Sequence, residues 1–324
     1  MKPFLSALAL ACATAACIGV LPAQAQDNWP SRPVKFIVPF PAGGSADALP
    51  RILSEKLAQR WGQSVIVENR PGAGGGIGAA AVARMEGDGY NIMTTPAGPV
   101  VTNGIIQTLN YDPLAFEPVI ILATAPIVLT VKLSPNFDTA KNFIAYARAN
   151  RGKLNYATQG PGSNSHLSAL AFAHSIGTEM TAVPYGGSAP ALNDMMSGTI
   201  DLFFDNLGSS LPLHNGGKLK ILAVATKERI KELPDVPTLI ESGVGDYLSF
   251  TWFGAFAPPK TPRDIVLKLN QDFAAAMALP DVREKFAALG VTPGSGSPED
   301  VAALVKSEQA KWEAVARRAG VEKK

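Results

Sequence analysis

The sequence predicts an α/β chain made of two strand–loop–helix units in series. Short apolar runs alternate with stretches of helical period, and the turns between them are rich in glycine. Size agrees, because 324 residues correspond to about two domains of roughly 150 residues. The first unit opens on an apolar strand, Val34 to Phe40, followed by a glycine-rich turn and a helix from Ala48 to Trp61. A strand over Ser64 to Glu68, a helix over Ile77 to Met85 and a strand over Tyr90 to Thr95 repeat the pattern, which implies a largely parallel sheet. Pro118 to Leu133 is more β-branched than helical and is long enough to cross between units. The second unit then reads helix 138–149, strand 154–158, helix 165–176, strand 180–185, helix 189–196 and strands 199–204 and 220–225. A Pro-rich passage, Leu233 to Thr238, marks a surface loop, and Phe250 to Ala257 reads as a return strand. Helices over 264–277, 281–289 and 298–319 finish the chain.

Composition narrows the function classes. Charged residues make up 17% and hydrophobic ones 47% of the chain, which excludes a disordered protein. Twenty-nine basic and 27 acidic residues nearly cancel, so no global field draws in a nucleic acid. At the start, Lys2, the uncharged run Leu5 to Val20 and Ala23-Gln24-Ala25 read as a secretory signal peptide over residues 1–25. The run is shorter than the ~20 apolar residues a membrane span requires. Both cysteines, Cys12 and Cys17, fall inside this leader, so the mature chain is expected to be exported and free of thiol chemistry. Lipidation at Cys17 would call for an aliphatic residue at position 14, where Thr14 stands.

Three loops share one design: a strand ends, glycines follow, and Ser or Asp stands in the first turn of a helix. They are FPAGGSAD at 40–47, QGPGSNSH at 159–166 and PYGGSAP at 184–190. Each places backbone N–H groups and the positive end of a helix dipole at the carboxyl edge of a sheet, where anions and ligands bind. Singly, each is explained as a tight turn that needs glycine, with Asp47 and Ser188 as ordinary N-caps. Three of them over two units point to one shared ligand.

Other motifs are weaker. Gly76-Ile77-Gly78-Ala79-Ala80-Ala81 matches a dinucleotide fingerprint, but its strand ends well before the first glycine and no acidic residue follows for a ribose. His166, His174 and His214 lack metal-ligand spacing, so no metal or cofactor is expected. His166 with Ser163 or Ser165 is the one nucleophile–base pairing a hydrolase could use. Asp194 and Asp201 fit a solvated helix face and turn as well as an acid cluster, whereas Asp205 closes an apolar strand and could accept a hydrogen bond or latch a hinge, a role as well supported as that of a cap.

The runs WPSRPVKFIVPFPAGGSAD, GQSVIVENRPGAGGGIGAAAVAR, DGYNIM, LNYAT, PYGGSAPALNDMMSGTIDLFFDN and ELPDVPTLIESG resemble the tripartite tricarboxylate transporter receptors, the Bug family of periplasmic solute-binding proteins. The likeness extends from about Trp29 to Gly320. It implies a two-lobed periplasmic binding protein fold, type II-like, with a hinge: lobe 1 over 26–124 plus 226–324 and lobe 2 over 125–225. It also implies a monomeric, non-enzymatic receptor that captures a small carboxylate by hinge closure and hands it to the permease subunits of a membrane transporter. A sensor role beside a membrane signalling protein would use the same cleft. By position, the ligand would meet Gly43, Gly44 and Ser45, with Asp47 at the helix start and Phe40 above. Thr94, Thr95 and Gly98 align with the second lobe 1 loop, and Gly160, Ser163, Ser165 and His166 with the loop that faces it. Tyr185 and Asp205 stand where the family places cleft residues. Ala46 replaces a usual threonine and Gly186 a usual lysine; loss of the lysine removes a cation and favours a mono- or dicarboxylate over a tricarboxylate.

Overall fold

The computed structural model describes residues 29–318; the leader expected over 1–25 lies outside them. Strand β1 (Val34–Val38) runs into α1 (Ser45–Trp61), whose Leu49, Leu53, Leu57 and Trp61 recur every fourth residue and form a single buried stripe. The helix starts three residues earlier than the apolar period suggests, because Gly44 takes an extended conformation and caps it. It stops at Gly62, which adopts the left-handed φ of 62°. β2 (Val65–Asn69), α2 (Gly76–Val82) and β3 (Asn91–Pro96) follow, and β1 pairs in parallel with both β2 and β3.

After a single turn, α3 (Asn103–Ile106), comes β4 (Glu117–Val131), a fifteen-residue strand over the β-branched run. The second unit holds α4 (Ala140–Ala149), β5 (Asn155–Thr158), α5 (Asn164–Ser175), β6 (Thr181–Pro184), α6 (Ser188–Met196), β7 (Leu202–Asn206), α7 (Leu207–Asn215) and β8 (Lys220–Val224). The chain returns through β9 (Phe250–Ala257) and ends with α8 (Arg263–Ala278), α9 (Pro280–Ala288), β10 (Thr292–Pro293) and α10 (Pro298–Arg318).

The strand order is β2-β1-β3-β9-β4-β7-β5-β6. The expected largely parallel sheet is therefore mixed. Its outer strands pair in parallel, but β9 inserts antiparallel between β3 and β4, and β4 runs antiparallel to β7 and β8. The reason is long-range: β9 arrives only after the second unit is complete, and no local pattern encodes where it docks. β4 pairs with β9 through Pro126, with β7 from Ile127 and with β8 from Val128, so one strand serves both halves.

Two main cores flank this shared strand. Phe36, Leu49, Leu53, Phe273 and Phe286 belong to the first, and Phe143, Phe172, Phe204 and Tyr247 to the second. The Pro-rich passage is a loop as predicted, yet Leu233 and Thr238 are buried, and Leu239, Val244 and Tyr247 beyond it join the second core. Helix α7 has no helical signature in LGSSLPLHN, since glycine and proline both disfavour a helix; burial of Leu207 and Leu211 outweighs that propensity.

Candidate ligand-binding cleft

The loops at the carboxyl ends of β1, β3, β5, β6 and β7 meet across the junction of the two halves. On the first half, Gly43 adopts φ 96°, a region that favours glycine, and its N–H donates to Asp47 Oδ2 at 3.1 Å. Asp47 also accepts from Arg51 Nε at 2.9 Å and Asn69 Nδ2 at 2.9 Å, while Asn69 Nδ2 holds the Phe40 carbonyl. Burial pushes the Asp47 carboxyl up, but the bonds from Arg51, Asn69 and Gly43 outweigh it and hold the group below its ordinary value. Asp47 thus braces the glycine turn from behind, at the third helical position and not as the N-cap.

Ser45 reaches across to the second half. Its N–H donates to Ser209 Oγ at 3.2 Å, and the two hydroxyls lie 3.2 Å apart. A Cβ on Gly44 would stand 3.6 Å from Ser188 Cβ. In the neighbouring loop, Thr94 and Thr95 are buried in β3; Thr95 Oγ1 donates to the Pro96 carbonyl, and Thr94 Oγ1 has no partner among the described residues. Gly98 packs against Asn103, a fully buried residue that sequence reasoning missed. Asn103 Nδ2 donates to the Gly74 carbonyl at 3.0 Å, and its side chain also lies against Gly162 of the second half. Thr102 Oγ1 donates to the Gly162 carbonyl beside it.

On the second half, Ser163 caps α5: its Oγ accepts the His166 N–H and donates to the Gly160 carbonyl at 2.7 Å. Ser165 Oγ accepts the Gln159 N–H at 2.9 Å and pairs with Ser163 Oγ. The His166 ring stacks on Tyr156 and its Nδ1 accepts the Gly162 N–H at 3.4 Å. Burial lowers the His166 pKa and so favours the neutral ring. These bonds tie His166 and the two serines into the loop and do not align them as base and nucleophile. Gly160 lies in backbone contact with the first half, where a Cβ would stand 2.8 Å from the Gly74 nitrogen.

Asp205 is buried at the end of β7. It accepts from Ser188 Oγ at 2.6 Å and Ser210 Oγ at 2.9 Å, and Gln159 Nε2 donates to Ser188 Oγ at 2.7 Å. Burial pushes the Asp205 carboxyl up to about 6, against the opposing pull of Ser188, Ser210 and the Asn206 N–H. Tyr185 faces elsewhere: its hydroxyl donates to Asp194 Oδ2 at 2.8 Å, and burial ahead of that carboxylate pushes its pKa up to about 12. The expectation that Asp201 is solvated is wrong. It is buried, accepts the Asn155 N–H at 2.8 Å and pairs with Lys132 at 2.8 Å, because β7 tucks it beneath β5.

Between the loops lies a cavity of about 10 Å³, lined by Phe40, Gly44, Ser45, Pro96, Gln159, Ser188 and Asn206 among others, the room of about one water. Its walls carry hydroxyls, two side-chain amides and helix N-termini, with no charged side chain. Gln159, Ser188 and Asn206 all sit inside or beside motifs visible in the sequence; Asn103 and Ser209 carry no such signal. Larger grooves lie elsewhere. One of about 560 Å³ backs the junction along Thr124, Pro126, Phe250 and Val291, and one of about 500 Å³ lies beside α8 and β10. Neither gathers strand ends and helix starts from both halves, so the loop cavity is the stronger candidate site.

A family model described as the tripartite tricarboxylate transporter family receptor matches residues 49–321. The chain belongs to this receptor family. Among the receptor's relatives, protein BugT of Bordetella pertussis is 32% identical over 327 residues, covering 100% of this chain and 99% of BugT. A solved structure described as R. palustris Rpa4515 with adipate superposes with a TM-score of 0.89 at 40% identity, covering 91% of this chain and 100% of that one. MatC (Rpa3494) from Rhodopseudomonas palustris with bound malate gives a TM-score of 0.84 at 33% identity, covering 88% of this chain and 99% of MatC. The receptor accordingly has the mixed α/β periplasmic binding protein fold.

Proposed function

We propose that this receptor captures a small mono- or dicarboxylate between the 43–45 turn and the Gln159–Ser188 wall, by closure of two lobes about β4. One observation carries the reading: helices α1 and α6 aim their N-termini from opposite halves into a polar cavity lined by no charged side chain. Such a site holds an anion through N–H dipoles and hydroxyls. The adipate and malate of its structural relatives are both dicarboxylates. Gly186, in the place of a family lysine, gives no cation for a third carboxylate. Lobe 1 comprises 26–124 plus 226–324 and lobe 2 comprises 125–225, with the 226–249 segment leaning on lobe 2 through Leu239, Val244 and Tyr247.

The contacting residues would be Phe40, Gly44, Ser45, Gln159 and Ser188, which line the cavity, with Thr95, Gly98 and Gly160 in the loops around it. Gly43, Asp47, Ser163, Ser165 and His166 shape their loops, and Asp205 supports Ser188. The liganded, closed form works in the periplasm and delivers its cargo to membrane permease subunits, with no bond broken. Affinity in the micromolar range, about 8 kcal/mol, suits capture and release. Thermal-shift and calorimetric titration with adipate, malate and citrate tests this. Saturation at 100 times Kd adds about 2.7 kcal/mol of stability, with the dicarboxylates ahead of citrate. Silence across the panel, or chemical change of the ligand, would overturn it.

A further inference from the structure

A buried carboxyl group, that of Asp205, stands one hydroxyl behind the wall of the cleft. Every side-chain donor around Asp205 points inward: Gln159 Nε2 to Ser188 Oγ to Asp205 Oδ1 on one side, and Thr130 Oγ1 to Ser210 Oγ to Asp205 Oδ2 on the other. Ser188 lines the cavity. While Asp205 is ionised, the Ser188 hydrogen is spent on it, and Ser188 presents only oxygen lone pairs to an incoming anion. A hydroxyl has one hydrogen and two acceptor sites. If Asp205 is neutral, its own O–H donates to Ser188 Oγ, Gln159 still donates to the second acceptor site, and the Ser188 hydrogen is released toward the cavity.

Among the described residues no cation pairs with Asp205. Of the charged and titratable groups on the elements around it, Lys132 after β4 pairs with Asp201, Asp194 on α6 accepts from Tyr185, and Lys220 at the start of β8 acts on His214. His214 on α7 accepts the Ile221 N–H, His166 on α5 accepts the Gly162 N–H, and Asp47 across the cleft is held by Arg51.

We propose that Asp205 is a proton-linked positioning residue: the receptor takes up a carboxylate together with one proton, which neutralises Asp205 and turns the Ser188 hydroxyl hydrogen toward the ligand. This rests on the carboxylate reading of the cleft. The proton comes from solvent, and no covalent bond between heavy atoms changes. With its carboxyl pushed up to about 6, unliganded Asp205 is mostly ionised at pH 7. An anion seated beyond Ser188 raises it further, because two like charges in a poorly hydrated site disfavour each other. The complex then binds more protons than the free receptor, so affinity falls as pH rises, by up to about tenfold per pH unit above neutrality.

The test is calorimetric titration with adipate at pH 7 in two buffers of different ionisation enthalpy, which counts protons taken up per ligand bound. Close to one proton is expected for the native receptor and close to zero for Asp205→Asn, whatever that variant's affinity. Carboxyl-carbon NMR of aspartate-labelled native receptor gives the same answer without a variant: adipate should move the Asp205 resonance from its ionised to its protonated position at pH 7. Binding with no proton uptake, an Asp205 resonance that stays ionised, or full uptake by Asp205→Asn would overturn the proposal while leaving carboxylate binding intact. No heat with adipate, malate or citrate at any pH would overturn both.

Discussion

Asp47 and Asp205 stand at comparable places, each just behind a glycine turn that opens a helix toward the cleft, yet they are held in opposite ways. Asp47 takes a guanidinium, an amide and a backbone N–H, and stays charged. Asp205 takes two hydroxyls and a backbone N–H with no cation, and burial pushes it up to about 6. The same loop architecture thus rests on a cation-paired carboxylate in one half and on one held by hydroxyls alone among side chains in the other. One half is a fixed anvil, and the other is the side on which binding can be tuned.

The largest expected effect comes from separating the halves. Gly160→Val places side-chain atoms where a Cβ already meets the Gly74 nitrogen at 2.8 Å, so the loops cannot close. Adipate affinity should fall more than about 100-fold, roughly 3 kcal/mol, by calorimetry, with the circular dichroism spectrum retained. Unchanged affinity would show that the two halves need not meet.

The carboxylates should then show opposite signs in urea denaturation. Asp205 has a folded pKa above its unfolded value, so its contribution is fully present below about pH 4 and is lost as pH rises through about 6. Asp205→Asn should gain on the native protein by up to roughly 3 kcal/mol between those limits. Asp47 has a depressed folded pKa, so its contribution is present above its ordinary value and disappears as pH falls through the folded one. Asp47→Asn should cost about 2 kcal/mol at pH 7, with the deficit shrinking below about pH 4. Parallel pH profiles for the two variants would erase the contrast.

The smallest effect lies in the contact between the halves. A double-mutant cycle on Ser45→Ala and Ser209→Ala should give a coupling of about 1 kcal/mol in adipate binding, because their hydroxyls lie 3.2 Å apart across the cleft.

Local chemistry made much of this legible in the sequence. The strand–helix alternation, the three glycine turns and the special character of Asp205 follow from periodicity, from residues that permit tight turns, and from a carboxylate closing an apolar strand. What stayed hidden is set by distance along the chain. The insertion of β9 between β3 and β4, the meeting of Ser45 with Ser209 and the burial of Asn103 at three glycines depend on the two halves coming together. Tyr185 shows the converse: a cleft position by alignment, with a hydroxyl that local packing directs to Asp194.

The most direct measurement is a crystal structure of the receptor with adipate. The expected result is one carboxylate within about 3 Å of the Gly44 N–H and Ser188 Oγ, between the two glycine turns. Adipate lodged instead in the 560 Å³ groove behind the junction, along Pro126 and Phe250, would contradict it.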